Sequence, residues 1–156
     1  MQTTVPSYLL RDTRWMQEAL KEAKKAADLG EIPVGAVIVR GETVIARAHN
    51  RRELDCDALA HAECLCIRQA CQTLNSWRLS GCELYVTLEP CPMCSGAIIN
   101  SRLDRVVYGA KDEKAGCVGS VADLFVMPFN HIPIIRSGIL ETECSELLSS
   151  FFETLR

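Results

Sequence analysis

The 156-residue chain has no apolar run approaching the roughly 20 residues that a membrane-crossing helix needs, so no transmembrane segment is expected. Its first residues, MQTTVPSYLL, lack the basic start and long apolar stretch of a secretory signal, which points to a cytoplasmic protein. Positive charge is also not in surplus. Lys and Arg number 17 against 20 Asp and Glu, a formal net charge of -3, so no global field attracts nucleic acid and any such partner must be held by a local patch. Internal repeats, low-complexity tracts and domain boundaries are absent, and 48% hydrophobic residues suffice for a single domain, residues 1–156, with a layered core. Cysteine, by contrast, is abundant. Nine is an odd number at irregular spacings, which argues against a complete disulfide framework and raises the question of which thiols meet a metal. Cys56, Cys64, Cys66, Cys71, Cys82, Cys117 and Cys144 stand singly among apolar or small residues and are expected to be small, mostly buried hydrophobes.

Arg11 to Leu29 carries Trp15, Met16, Ala19, Leu20, Ala23 and Ala27 at helical spacing; Asp12 is expected to cap its start and Gly30 to end it. Val34–Arg40 and Thr43–His49 are β-rich runs around Gly41-Glu42, the pattern of a hairpin. A polar loop from Asn50 to Asp57 precedes a second helix at about Ala60–Leu74. Leu84–Leu88 predicts a strand running directly into Glu89-Pro90-Cys91-Pro92-Met93-Cys94 and then a small-residue helix from Ser95 to about Ser101; Arg105–Gly109 predicts another strand. Lys111–Gly119 has the composition of an ordered functional loop, and Thr142–Leu155 that of a last helix packed on the sheet. Helices alternating with strands after a hairpin imply an α/β fold, a three-layer α/β/α sandwich around a mixed sheet.

Three zinc-type ligands and one carboxylate stand at two helix starts. His61-Ala62-Glu63 opens one helix and Pro90-Cys91-Pro92-Met93-Cys94 the other. Cysteines three apart on a first turn project to one side, and a helix N-terminus favours the thiolates that a metal requires. One imidazole and two thiolates, from His61, Cys91 and Cys94, leave the fourth position of a tetrahedral zinc free for water, whose pKa the metal lowers towards neutrality. Glu63, two residues from the histidine, can then serve as the catalytic acid and base without being a ligand. Two blander readings compete: a Cys-x-x-Cys redox pair, and a closed structural zinc with Cys64 or Cys66 as its fourth ligand. The His-x-Glu tripeptide and the proline before Cys91 are coincidences in the first, and Glu63 has no purpose in the second. The pattern resembles the signature described for zinc nucleobase deaminases.

At these residues the chain resembles the cytidine deaminase-like superfamily, and within it the bacterial tRNA-specific adenosine deaminases. The resemblance extends through Gly30–Val37, His61–Glu63, Tyr85–Ala97, Ser101-Arg102, Gly109–Asp112, Gly138–Leu140 and Phe151-Phe152. It implies a central mixed five-stranded sheet, one zinc ion per subunit, a homodimer, and deamination of adenosine to inosine at the wobble position of a tRNA anticodon stem-loop. It further implies that Asn50 hydrogen-bonds the target base, that Val34 and Leu88 are apolar pocket walls, and that the amide nitrogen of Ala62 helps hold the purine. Asp112 and Lys114 match loop positions near the neighbouring nucleotides, and Phe152 an aromatic of the last helix near the RNA. Arg51, Arg52, Lys111, Lys114 and Arg156 are candidates for a phosphate patch. The chain departs from the family's Asp-Pro-Thr-Ala before the histidine, reading Asp57-Ala58-Leu59-Ala60. Two rival functions remain: a zinc deaminase of a free base or nucleoside such as guanine or cytosine, and a catalytically silent RNA-binding subunit with a structural zinc.

Overall fold

The computed structural model describes residues 4–155. Helix α1 (Ser7–Asp28) is followed by strands β1 (Gly35–Arg40) and β2 (Thr43–His49), helix α2 (Ala62–Leu74), strand β3 (Cys82–Leu88), helix α3 (Pro92–Ser101) and strand β4 (Arg105–Ala110). A short 3-10 turn at Leu124–Val126, strand β5 (Ile134–Arg136) and helix α4 (Glu141–Thr154) complete the fold. The five strands lie in the order β2-β1-β3-β4-β5; β1 is antiparallel to both β2 and β3, while β3, β4 and β5 run parallel. The sheet is mixed and five-stranded, and helices cover both faces: Val34, Ala36, Ile38, Ala62, Cys66, Ile67, Leu84 and Ile98 belong to one apolar layer, and Trp15, Met16, Ala19, Val37, Val39, Tyr85 and Cys144 to the other.

Local sequence explains most boundaries. The α1 helix ends in a Schellman arrangement, with Glu31 N donating to Ala26 O at 2.9 Å and Gly30 N to Ala27 O at 3.0 Å, around Gly30 at φ +78°. The β1–β2 hairpin turns at Gly41 (φ +62°) and closes on Arg40 opposite Thr43. Helix α1 reaches the sheet at Gly35, where a Cβ would sit 2.1 Å from Ala19 O and 2.3 Å from Ala23 N; no larger residue fits between helix and strand.

Four expectations require correction. Helix α1 begins at Ser7, a turn before Arg11, and Asp12 caps nothing. Its carboxylate lies on the buried face, 1% exposed, where the two Nη atoms of Arg105 grip it end-on at 2.6 and 2.7 Å and Tyr85 donates to it at 2.8 Å; a tertiary partner outcompetes the local backbone for this acceptor. Helix α3 starts at Pro92, not Ser95, since proline's fixed φ suits a first helical turn. Cys56 is exposed, and Cys64 and Cys71 are half-buried, whereas Cys66, Cys82, Cys117 and Cys144 are buried as expected. The apolar stripe of α4 is also only partly covered: Leu147 and Leu148 pack inward, but Phe152 and Leu155 are exposed. Arg156 lies outside the described residues. Among the described residues no helix is long and apolar enough to cross a membrane.

Removing one partner of a buried ion pair leaves the other uncompensated. Asp12→Ala is expected to lower unfolding stability by about 3 kcal/mol, and Lys21→Ala, whose exposed pair with Glu18 is solvent-screened, by less than about 0.5 kcal/mol, both in denaturant titration. An Asp12→Ala loss as small as that of Lys21→Ala contradicts the structural role given to the pair.

Candidate active site

The topology brings four chain passages to one end of the sheet. Strand β1 enters there, after Val34; β2 leaves there, at Asn50; and the parallel strands β3 and β4 leave there, at Leu88-Glu89 and before Lys111-Asp112. Crevices outside the carboxyl ends of parallel strands are where open α/β sheets bind ligands. Helices α2 and α3 both start at this end, with His61 and Cys91 as their N-caps. Neither makes a side-chain capping bond, so the imidazole and the thiol are free to face each other.

They do so closely. The Sγ atoms of Cys91 and Cys94 each lie 3.5 Å from His61 Nδ1, and the three donor atoms fall within 4.8 Å of one another, a group able to hold a metal ion. Cys64 Sγ touches Cys94 Sγ at 3.7 Å, yet Cys64 does not join that group. A fourth tetrahedral ligand must approach all three others at similar distance, so Cys64 is a neighbour of the cluster and not its closing member. Cys66 points into the core beneath the sheet, and burial raises its thiol pKa well above the usual range. Contact with the Cys94 thiol and, against the cost of burial, with His61 draws the Cys91 thiol down to about 4. The sulfurs of Cys64 and Cys91, together with burial, push Cys94 the other way.

A cavity of about 170 Å³ opens beside the cluster, lined by Ile32, Val34, Asn50, Ala62, Glu63 and Leu88 along with His61 and Cys91. Arg52, Glu89, Asp112 and Ala115 complete its wall. Glu63, in the first turn of α2, is 4% exposed, and burial pushes its carboxyl up to about 7, near the value at which an acid–base group works best at neutral pH. Asn50 is buried; its Oδ1 accepts from Arg52 N at 3.2 Å and its Nδ2 donates to Ile32 O at 3.3 Å. An amide has two donors and two acceptor sites, so one of each remains for a ligand. Ala62 is the first residue of α2, and its N–H has no acceptor within the helix.

The remaining sequence candidates divide. Asp112 borders the cavity, but its carboxylate accepts from the backbone N–H groups of Lys114 and Ala115 at 3.0 and 3.2 Å, shaping the loop. The Lys114 side chain is exposed and outside the cavity lining. Phe152 belongs to a separate cavity of about 230 Å³, which also includes Gly30, Glu31, Phe151 and Leu155 and shares Ile32, Asn50 and Arg52 with the first. Arg51 is paired with Asp55 at 3.0–3.2 Å, which removes it from any free phosphate patch. Ile32, Glu89 and Ala115 were not singled out from the sequence. For Glu89 the sequence carries a signal, a carboxylate set between a β-rich run and the Cys-x-x-Cys motif.

The model of the MafB19-like deaminase family matches residues 10–156. A tRNA-specific adenosine deaminase of Bacillus subtilis is 52% identical over 149 residues, covering 95% of this chain and 92% of its own. The chain belongs to the tRNA-specific adenosine deaminases. A solved structure from studies of A-to-I editing by tRNA:A34 deaminases at the wobble position of transfer RNA matches with a TM-score of 0.85 at 47% identity, covering 87% of this chain and 99% of that one. A guanine deaminase of Bacillus subtilis is more distant, at 30% identity and a TM-score of 0.61 over 91% of this chain and 92% of its own. Membership of the tRNA-specific adenosine deaminases accounts for the mixed five-stranded sheet and makes the chain a hydrolytic deaminase.

The division between ligands and neighbour is testable by metal content after dialysis. Wild type and Cys64→Ala are expected to retain one equivalent of divalent metal, and Cys91→Ala to lose it. Loss of the metal from Cys64→Ala contradicts a group of three protein ligands.

Proposed function

We propose that the protein is a zinc-dependent hydrolase that deaminates adenosine to inosine at the wobble position of a tRNA anticodon. The carrying observation is the convergence of His61, Cys91 and Cys94 with the buried carboxyl of Glu63 at one cavity, in a chain half identical to tRNA-specific adenosine deaminases. Zinc suits the donors. A tetrahedral ion with Zn–S near 2.3 Å and Zn–N near 2.0–2.1 Å sets sulfur and nitrogen about 3.5 Å apart, the separation found for both thiols from His61 Nδ1. Bound there, the metal supplies a water nucleophile active at neutral pH.

The protein's own groups do the rest. Val34 and Leu88 offer apolar surface to the faces of the base, while the spare donor and acceptor of Asn50 and the N–H of Ala62 meet its polar edge. Glu63 takes the proton of the attacking water and delivers it to the ring nitrogen beside C6. A second proton passes through the same carboxyl to the amine; the C6–N bond breaks, ammonia leaves, and the water oxygen remains as the inosine carbonyl. A carboxyl poised near neutrality can both accept and return protons. In this reading the target base leaves its stack to enter the cavity, and the anticodon loop, whose bases splay readily, is a fitting substrate. A cytosolic location suits that substrate.

The same reading includes a homodimer. Val121, Val126, Met127, Phe129, Ile132 and Ile134 are exposed within one segment, an apolar concentration typical of an interaction surface and suited to a second copy of the chain.

The test is inosine formation on an adenosine-containing anticodon stem-loop, with ammonia release from free adenosine, guanine and cytosine measured in parallel. Inosine in the stem-loop with silence on the free compounds is expected; ammonia only from a free compound overturns the RNA assignment. Glu63→Gln is expected to keep its metal while the rate falls about 10²–10⁴-fold, the usual contribution of a general acid–base. A Glu63→Gln enzyme within threefold of wild type removes the proton-transfer role.

A further inference from the structure

Glu89 is a second buried carboxylate at the cavity, 2% exposed, and the reaction above has no use for it. Its bonds explain why. Oε1 accepts from Asp112 N at 3.1 Å and from the Ser120 hydroxyl, and Oε2 accepts from Val118 N at 3.0 Å and Ser120 N at 3.1 Å. A carboxylate offers about four acceptor sites, so all are filled and none is left for a proton from substrate or water. The four donors come from both ends of one loop. Between them Gly116 passes so close that a Cβ would lie 2.3 Å from Glu89 Oε2 and 2.5 Å from Asp112 O. Beside them Cys117 N donates to Pro90 O at 2.8 Å. This loop supplies Asp112 and Ala115 to the cavity wall, while Glu89 stands two residues before Cys91 in the chain.

We propose that Glu89 is a positioning residue: it latches the loop of residues 112–120 to the segment that carries Cys91, and so fixes the distance between the cavity's loop wall and its metal-ligand wall. The inference rests on the reading of this cavity as the substrate site. In that reading the loop wall holds the base and its neighbours, while His61, Glu63 and Cys91 reach the cavity from the starts of α2 and α3. Loosening the latch therefore weakens substrate holding and leaves the chemical step largely intact, a KM effect and not a kcat effect. Glutamine is the informative replacement, because its NH2 group presents a donor where two donors already converge.

Three variants are compared with wild type on the stem-loop: Glu89→Gln, the milder Ser120→Ala, which deletes one of the four bonds, and Glu113→Gln, an exposed carboxylate on the same loop. Metal content and amide hydrogen exchange at Asp112, Val118 and Ser120 are measured on each. Expected are a KM raised about 10-fold in Glu89→Gln, a loss of binding shared by ground and transition states, and a smaller rise in Ser120→Ala. Faster exchange at the three amides should accompany both, with full metal content and kcat within threefold. Glu113→Gln should match wild type throughout. A Glu89→Gln enzyme with wild-type KM, or one whose loss lies in kcat and tracks missing metal, overturns the proposal. Exchange is read without any substrate, so a wild type silent on the stem-loop overturns the functional reading, whereas unchanged exchange in Glu89→Gln overturns the latch.

Discussion

The whole site depends on the parallel pairing of β3 with β4 beside an antiparallel β1–β2 hairpin. That pairing sends the ends of β2, β3 and β4 and the start of β1 to the same edge of the sheet, and it requires each connection after β2 and β3 to cross a face as a helix. Helices α2 and α3 therefore begin at the edge where the strands end. Their N-caps, His61 and Cys91, are brought within 3.5 Å although 30 residues separate them in the chain. Other features follow from this geometry: the helix starts favour thiolates, the first turn of α2 buries Glu63 beside the His-Cys-Cys group, and the strand ends supply the cavity's walls.

The constellation itself is legible in the sequence because each half is local. His61 with Glu63, and Cys91 with Cys94, are short-range patterns whose spacing already commits them to helix starts. Less local features escape. Asp12 looks like a helix cap until Arg105, 93 residues away, is folded against it. Strand β5 has three residues, Ile134–Arg136, with only one neighbour in the sheet, too short for an alternating pattern to show. Glu89 reads as part of the motif before Cys91, and its purpose appears only when the distant backbone groups of Asp112, Val118 and Ser120 converge on it. Cys64 is the opposite case. Composition makes it a candidate fourth ligand, and a contact with Cys94 that leaves the other two donors out of reach decides against it.

Charge bears on substrate choice in a similar way. With no net basic surplus, affinity for RNA has to come from shape and from a few groups around the cavity mouth. Arg51 is paired with Asp55, while Arg52 is exposed at the mouth and borders both adjoining cavities. In the proposed reaction a splayed base is selected by the fit of a small pocket and its flanking surface more than by general attraction to phosphate. The exposed Phe152 and Leu155 at the rim of the second cavity fit the same picture, since unstacked bases pack on apolar and aromatic side chains.

X-ray absorption at the zinc edge of the zinc-loaded protein separates a metal held by three protein ligands, supplied by two helix starts, from one closed by a fourth. Two sulfur scatterers at about 2.3 Å and one imidazole nitrogen at about 2.0–2.1 Å are expected. A third sulfur at the same distance would bring Cys64 into the cluster, close the metal to substrate chemistry, and contradict the account.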